Sequence, residues 1–429
     1  TMMVYSSRSL WSETATSDSP RHILTGSHRA DVVIIGAGFT GLRAALELSE
    51  SGLSVVVLEA GDVAHGASGS SGGQVNPIPP FNTPSQFRRL LGTEYAERLT
   101  NTYIHSADDL FATIKKYQID CQARQNGWLR VFHSAKALRK EEVCVKEWND
   151  HGAGIEFVGG SEIERKSGTS AYHSGIITPQ GGAVQPLSLS RGLAKAAEQR
   201  GVKIYSKSAV LSLDKSEGKW TAKTSIGSVL SDWVIIATNG YTGDLIPGLS
   251  KSIIPIASIQ IATDPLPEET IGSILPEGHT ISDSRRVIMI ARREPDNRIV
   301  YGSHGREFGN DTIGGVEWLI KDAERVFPQL RGVNWSYRWG GSVALTEDRL
   351  PHLHEPKPGL LVGFGYNGRG VAISNIMGKV LAKRVLGANP NELPFPTSPI
   401  MKIPFRSLKK TLEGPAIWFL RLLDYLESR

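Results

Sequence analysis

Two hydrophobic periods alternate along the chain. Val32–Ile35 and Val55–Leu58 are short, continuous and β-branched, the pattern of parallel strands buried on both faces. Between them Leu42, Ala45, Leu46 and Leu48 recur at helical spacing, and Ser51-Gly52 ends the run. Residues 31–59 therefore predict strand, turn, helix and second strand. Helical spacing over 84–91, 94–117, 135–151, 186–201, 315–327 and 371–386 predicts further helices. Strands are predicted at 127–132, 175–178, 202–205, 208–213, 220–224, 233–237, 253–262, 287–291, 298–302 and 359–364. The mixture predicts an α/β chain, with 253–335 as a second domain. Near the end, Ile417, Trp418, Leu420, Leu422, Leu423 and Leu426 stand beside Arg421 and Asp424. Docking of this helix on the body is expected, with a peripheral membrane contact or a dimer contact as the other reading.

Composition narrows the classes. The chain has 429 residues, enough for two or three domains, and a net charge of +5. No basic run is interleaved with aromatics, so no nucleic-acid partner is expected. Cys121 and Cys144 form neither a metal spacing nor a disulfide framework and suit a reducing cytoplasm. No apolar stretch reaches the roughly 18 residues of a membrane span. The Ser- and Thr-rich start, through Pro20, lacks the apolar segment of a signal peptide, and Trp11 is its expected anchor on the surface.

The first turn carries the chemistry. Gly36, Gly38 and Gly41 form G-x-G-x-x-G between a strand and a helix. The first allows the sharp turn, the second lets a pyrophosphate approach, and the third lets helix and strand pack closely. Phe39 and Thr40 begin a helix whose N-terminus favours anions. Glu59 ends the second strand, where a carboxylate accepts from both ribose hydroxyls and repels a 2′-phosphate; Ala60 follows it. The next stretch holds Ala67, Ser68, Gly72, Gly73 and Gln74, small groups that can line a flat ligand. His65, beside it, is read as an ordinary loop histidine. Val210, within the strand read at 208–213, and Ala237, Thr238 and Gly240, at the end of the strand read at 233–237, are further candidates for the dinucleotide site. Gly365, Gly368, Arg369, Gly370 and Val371 form a second glycine turn that opens a helix, again a place for negative charge. The first motif alone does not separate FAD from NAD. No second G-x-G-x-x-G and no mid-chain Asp-Gly of a flavin hydroxylase is present.

In this order the motifs resemble the D-amino-acid-oxidase superfamily of FAD enzymes over residues 28–405. Tyr117–Cys121, Phe327–Val333 and Tyr337–Trp339 resemble a subgroup acting on extended, ω-substituted amines. The resemblance implies non-covalent FAD and a two-domain chain: a Rossmann-like FAD-binding domain and a substrate domain built on an antiparallel sheet. It places the discontinuous FAD domain at 28–90, 155–245 and 336–400, and the substrate domain at 91–154 and 246–335. An N-terminal extension, 1–27, and a helical tail, 401–429, flank them. It also implies oxidation of an amine C–N bond by hydride transfer to flavin. The imine then hydrolyses to an aldehyde plus an amine, with a γ-glutamylputrescine-like substrate and oxygen or another electron acceptor. The alternative is an oxidase of a secondary or cyclic amino acid such as L-pipecolate, sarcosine or proline.

Departures from the family pattern bear on that choice. Ser70 and Ser71 stand where the subgroup has Arg-Asn. Val343 occupies the position of an arginine that clamps the substrate carboxylate in other members, and Val300 that of an oxygen-activating lysine. Arg292, Arg293, Arg338 and Arg369 are the candidates for a relocated clamp. His304, Tyr301, Arg338 and Asn367 are the expected pocket residues by position.

Overall fold

A computed structural model describes residues 8–305 and 315–428. Two eight-stranded sheets organise it. The first runs in the order His352–Lys357, Leu360–Phe364, Gly227–Ile236, Gly26–Ile35, Val55–Leu58 and Lys203–Tyr205. Its centre is parallel, with Val32 opposite both Val55 and Trp233. A hairpin, Ser212–Ser216 and Lys219–Lys223, extends it antiparallel from Gly227–Ile236.

The two-residue period of the strands explains how this sheet is covered. Val32, Ile34, Val55 and Val57 point to one face and join the core that holds Leu42, Leu46 and Met377. These come from helices Phe39–Ser49 and Val371–Val385. Val33, Ile35, Val56 and Leu58 point to the other face, under Trp220, Leu249 and Phe364. Both faces are buried, as the continuous apolar runs require.

The second sheet runs Tyr337–Leu345, Ile254–Ala262, Ile299–Gly305, Ile290–Arg293, Thr280–Asp283, Trp128–Val131, Gly175–Thr178 and Glu156–Val158. It is antiparallel except where Thr280–Asp283 runs parallel to Trp128–Val131. Helix Glu317–Val326 covers one face through Leu319, Ala323 and Val326, against Ile261, Tyr301 and Phe327.

Some boundaries differ from the sequence reading. Glu156–Val158, Gly175–Thr178 and Tyr337–Leu345 lie in this second sheet, although the ranges 155–245 and 336–400 had assigned them to the nucleotide part. Pairing partners, which spacing along the chain does not encode, decide sheet membership. The strand read at 287–291 begins at Ile290, because the Asp283 carboxylate accepts from the Met289 N–H at 2.9 Å and holds a turn there.

The N-terminal extension contains a short helix, Leu10–Thr14, that the sequence reading did not include; residues 1–7 lie outside the described residues. Trp11 is fully buried, edge-on to Trp339. The tail forms helices Arg406–Thr411 and Glu413–Glu427. Among the described residues no helix is long and apolar enough to cross a membrane.

Candidate functional site

A cavity of about 570 Å³ lies between the two sheets. One end is the glycine turn. Gly36 has φ of +108°, and a Cβ on it would stand 2.5 Å from the Ala237 carbonyl oxygen, so only glycine makes this turn. A Cβ on Gly41 would stand 2.0 Å from the Gly36 carbonyl oxygen, which is the close helix–strand packing the motif implied. The helix start at Gly38 has no side-chain cap, and the Phe39 N–H donates to Ser68 Oγ at 2.9 Å. The Glu59 carboxylate accepts from the Ala37 N–H at 2.7 Å and the Gly61 N–H at 3.0 Å. Both its oxygens keep lone pairs for further donors. Val210, Ala60, Ala237 and Thr238 line the same end.

The cradle fits FAD. A Cβ at Gly36 would close the turn, the helix start offers free donors, and the fixed carboxylate matches a diol. Cys121 and Cys144 are absent from the cavity lining, and burial pushes the Cys121 thiol up to about 12. That suits cofactor binding by contacts alone.

The small-residue loop crosses the middle of the cavity, where Ala67, Ser68, Gly72, Gly73 and Gln74 line it. It is pinned from several sides. Trp11 Nε1 donates to the Ser71 carbonyl at 2.8 Å, and Trp339 Nε1 to the Ser70 carbonyl at 3.1 Å. Thus the two positions that depart from the subgroup pattern are anchored through their carbonyls by indoles. Gln74 Nε2 donates to the Ala291 carbonyl at 2.9 Å. The buried Arg292 guanidinium donates to the carbonyls of Gly73 at 3.0 Å and Val184 at 2.7 Å, pairs with Glu294, and lies over the Trp11 ring. Arg292 is therefore committed to the loop. Arg293 is likewise committed, to the Ile271 and Ile274 carbonyls and Asn297.

The next wall comes from the second sheet and the late glycine turn, whose Tyr366 hydroxyl shares a hydrogen bond with Thr40 of the first turn's helix. His304 lies against Gly368, and both line the cavity with Asn367, Arg369, Gly370 and Val371. Nδ1 of His304 is buried without a hydrogen-bond partner. Burial, and then the charge of Arg369, push its imidazole down to about 4. It is neutral at pH 7 and a weak base, so it offers a hydrogen bond rather than a proton store. Arg369 donates to the Ile78 carbonyl at 2.8 Å and lies over the Trp128 ring at 4.6 Å. Burial, reinforced by Arg130, brings it down to about 9. Of the four arginines proposed as a clamp, Arg369 is the one in the cavity lining. Val343 lines the cavity as well.

Several expected site residues lie elsewhere. Tyr301 is fully buried in the second core, and its hydroxyl donates to Asp322 at 2.7 Å. Arg338, on an outer strand of the sheet, is absent from the lining; its backbone N–H donates to the Arg8 carbonyl at 3.2 Å. Asn367 faces the cavity but acts as a turn residue. Its Oδ1 accepts from the Thr346 N–H at 2.9 Å, and its Nδ2 donates to the Gly365 carbonyl at 2.9 Å. Gly41, Gly240 and Gly365 are also outside the lining and shape the backbone behind it. Gly365 donates its N–H to Asn239 Oδ1 at 3.0 Å, and Gly240 packs against the Ser342 carbonyl.

The exposed end of the cavity was not foreseen. Arg130, Lys140, Asp283, Arg285 and Arg286 line it. Arg130 pairs with Glu141 at 2.5 Å, Arg285 with Asp322 at 2.8 Å, and Arg286 with Glu427 at 2.8 Å. They come from two distant segments, 130–140 and 283–286, and nothing in their local sequence marks them.

A family model described as "DAO: FAD dependent oxidoreductase" matches residues 31–384. Gamma-glutamylputrescine oxidoreductase of Escherichia coli K12 is 31% identical, covering 96% of this chain and 97% of its own. A probable oxidoreductase, OrdL, of Haemophilus influenzae is 32% identical over 89% of this chain and 88% of its own. Glycine oxidase from Geobacillus kaustophilus superposes with a TM-score of 0.73 at 22% identity, covering 88% of this chain and 99% of that one. L-proline dehydrogenase from P. horikoshii gives 0.72 at 18% identity, with 86% and 98% covered, and these two likenesses speak for the fold.

Proposed function

Since the chain belongs to the DAO family of FAD-dependent oxidoreductases acting on amines and amino acids, we propose that it oxidises a C–N bond of an extended, γ-glutamylputrescine-like amine. Hydrolysis of the resulting imine gives an aldehyde and releases the amine nitrogen. FAD, when bound, would supply the hydride acceptor, with oxygen or another acceptor as the final oxidant.

The chain's own residues prepare the substrate. The amine must be neutral to release a hydride, and the water-poor wall around His304 favours the neutral form. Arg369, a cation beside His304, opposes an ammonium there and lowers the amine's pKa further. His304 Nδ1, buried without a partner, would hydrogen-bond the amine, and Asn76 Oδ1 in the same lining is likewise unpartnered. Glu59 and the first glycine turn would hold the adenosine and pyrophosphate of FAD, and the Gly368–Val371 helix start would favour negative charge on its ring system.

One observation carries the extended substrate. Val343 supplies an apolar wall, while the cavity continues outward to Lys140 and to Arg130, whose Nε is buried without a partner, and there a distant carboxylate meets cations. The second reading, a secondary or cyclic amino acid, is supported by Arg369, which lines the cavity beside His304 and could take an α-carboxylate. Anaerobic bleaching of the flavin band separates the two. The panel is γ-glutamylputrescine, putrescine, L-pipecolate, sarcosine, proline and D-alanine. Bleaching by γ-glutamylputrescine ahead of the others supports the first reading. Bleaching confined to pipecolate, sarcosine or proline replaces it with the second.

A further inference from the structure

The C-terminal helices leave a large part of their apolar surface in the open. A surface helix ordinarily buries its apolar stripe and turns its polar side to water. Here the side facing the body carries Arg421, Asp424 and Glu427 among the half-buried Ile417, Leu420 and Leu423. Asp424, 4% exposed, accepts from the backbone N–H groups of Arg286 and Val287, each at 3.0 Å. Glu427 pairs with Arg286 at 2.8 Å, and the Arg421 guanidinium lies 3.5 Å over the Trp318 ring. The outward side carries Leu408, Leu412, Pro415, Phe419, Leu422 and Leu426, spaced four, three, four, three and four apart. Pro415, Phe419, Leu422 and Leu426 form one stripe along helix Glu413–Glu427, and Leu408 and Leu412 continue it from helix Arg406–Thr411. Phe419 is 53% exposed, Leu426 58%, and Trp418 beside them 67%. Phe405 and Met401 extend the apolar surface at its start. So continuous a patch marks an interaction site.

The charges around the stripe indicate what covers it. Residues 401–412 hold Lys402, Arg406, Lys409 and Lys410 and no acidic residue. Lys409 shares its charge with Glu347 at 3.1 Å, while Lys402 and Lys410 are exposed. The acids Asp424 and Glu427 are turned inward to Arg286. We propose that this stripe docks on an anionic lipid surface, with its leucine and aromatic side chains in the acyl boundary and its cations at the headgroups. A two-fold contact between copies through the same stripe would leave those cations without anionic partners. Arg286 lines the exposed end of the cavity and also ties down the helix. This end of the cavity therefore lies beside the inward side of the docked helix.

The test uses the full-length holoenzyme and vesicles of phosphatidylcholine with or without phosphatidylglycerol. The protein is expected to co-sediment with the anionic vesicles, less so as salt rises, with a blue shift of tryptophan emission. The triple variant Phe419→Ser, Leu422→Ser, Leu426→Ser is expected to lose at least about tenfold in vesicle affinity. Because these side chains are exposed, it should keep its flavin and its bleaching by amines. Lys402→Glu with Lys410→Glu is expected to abolish the preference for anionic lipid. Absence of sedimentation, or equal sedimentation of parent and triple variant, overturns the proposal. So does a dimer in analytical ultracentrifugation that the triple variant dissolves, which would assign the stripe to a second copy.

Discussion

Glu59 and Arg369 each do work that a single substitution can isolate. Replacing Glu59 by glutamine removes a charge that accepts from two backbone N–H groups and stands where a ribose diol would donate. Hydrogen bonds to charged groups contribute about 1.5–3 kcal/mol each, so FAD affinity should fall by tenfold or more in titrations of the apoprotein. Arg369→Met removes the cation beside His304. If it holds the bound amine neutral, the acidic limb of kcat should move to higher pH, because the ammonium form is no longer opposed. An unmoved limb would separate Arg369 from the reacting amine. Glu59 and the three glycines were legible in the sequence, because one contiguous strand–turn–helix–strand unit contains them. Tyr301 illustrates where such reading stops. It lies three residues before His304 on one strand, so the two side chains face opposite sides of the sheet, and only one can face the cavity. Alternation could have excluded one of the pair, but not said which.

Packing between elements sets the next group of expectations. A methyl group at Gly41 collides with the Gly36 carbonyl, so Gly41→Ala must push helix Phe39–Ser49 away from its strand. The variant should lose flavin on gel filtration and unfold at lower temperature. Trp11→Ala should cost about 3–5 kcal/mol in denaturant unfolding, as expected when a buried tryptophan is truncated. It should also loosen FAD, because the indole holds the Ser71 carbonyl of the loop that lines the cavity. Helices were read well from their period: 84–91 is found as Pro84–Leu91, and 135–151 as Ala135–Asp150. The second sheet was not. Its parallel pair joins Trp128–Val131 to Thr280–Asp283, segments about 150 residues apart whose local patterns say nothing of each other. The cations at the exposed end of the cavity, Arg130 and Arg286 among them, were hidden for the same reason.

For the molecule as a whole, two histidines set a dependence on acidity. Burial pushes both His304 and His354 from the ordinary 6.5 down to about 4. His354 bonds the Ser398 carbonyl through Nδ1 at 2.6 Å, and its Nε2 is buried without a partner. Between pH 6.5 and 4 the unfolded chain binds more protons than the folded one. Stability should therefore be intact above pH 6.5 and decline as pH falls towards 4, by on the order of 1–3 kcal/mol for each histidine. Urea unfolding at pH 7 and 4.5 measures this, and His354→Asn should reduce the difference. The central parallel sheet has a different consequence, one in time. Gly26–Ile35 needs Val55–Leu58 on one side and Gly227–Ile236 on the other, and the latter needs Leu360–Phe364. The two glycine turns, which meet where the Thr40 and Tyr366 hydroxyls share a hydrogen bond, are thus among the first and last segments of the fold to leave the ribosome. For most of its synthesis the nascent chain carries half a cofactor cradle and an unpaired apolar strand edge, which makes chaperones and early FAD supply matters of yield rather than of activity.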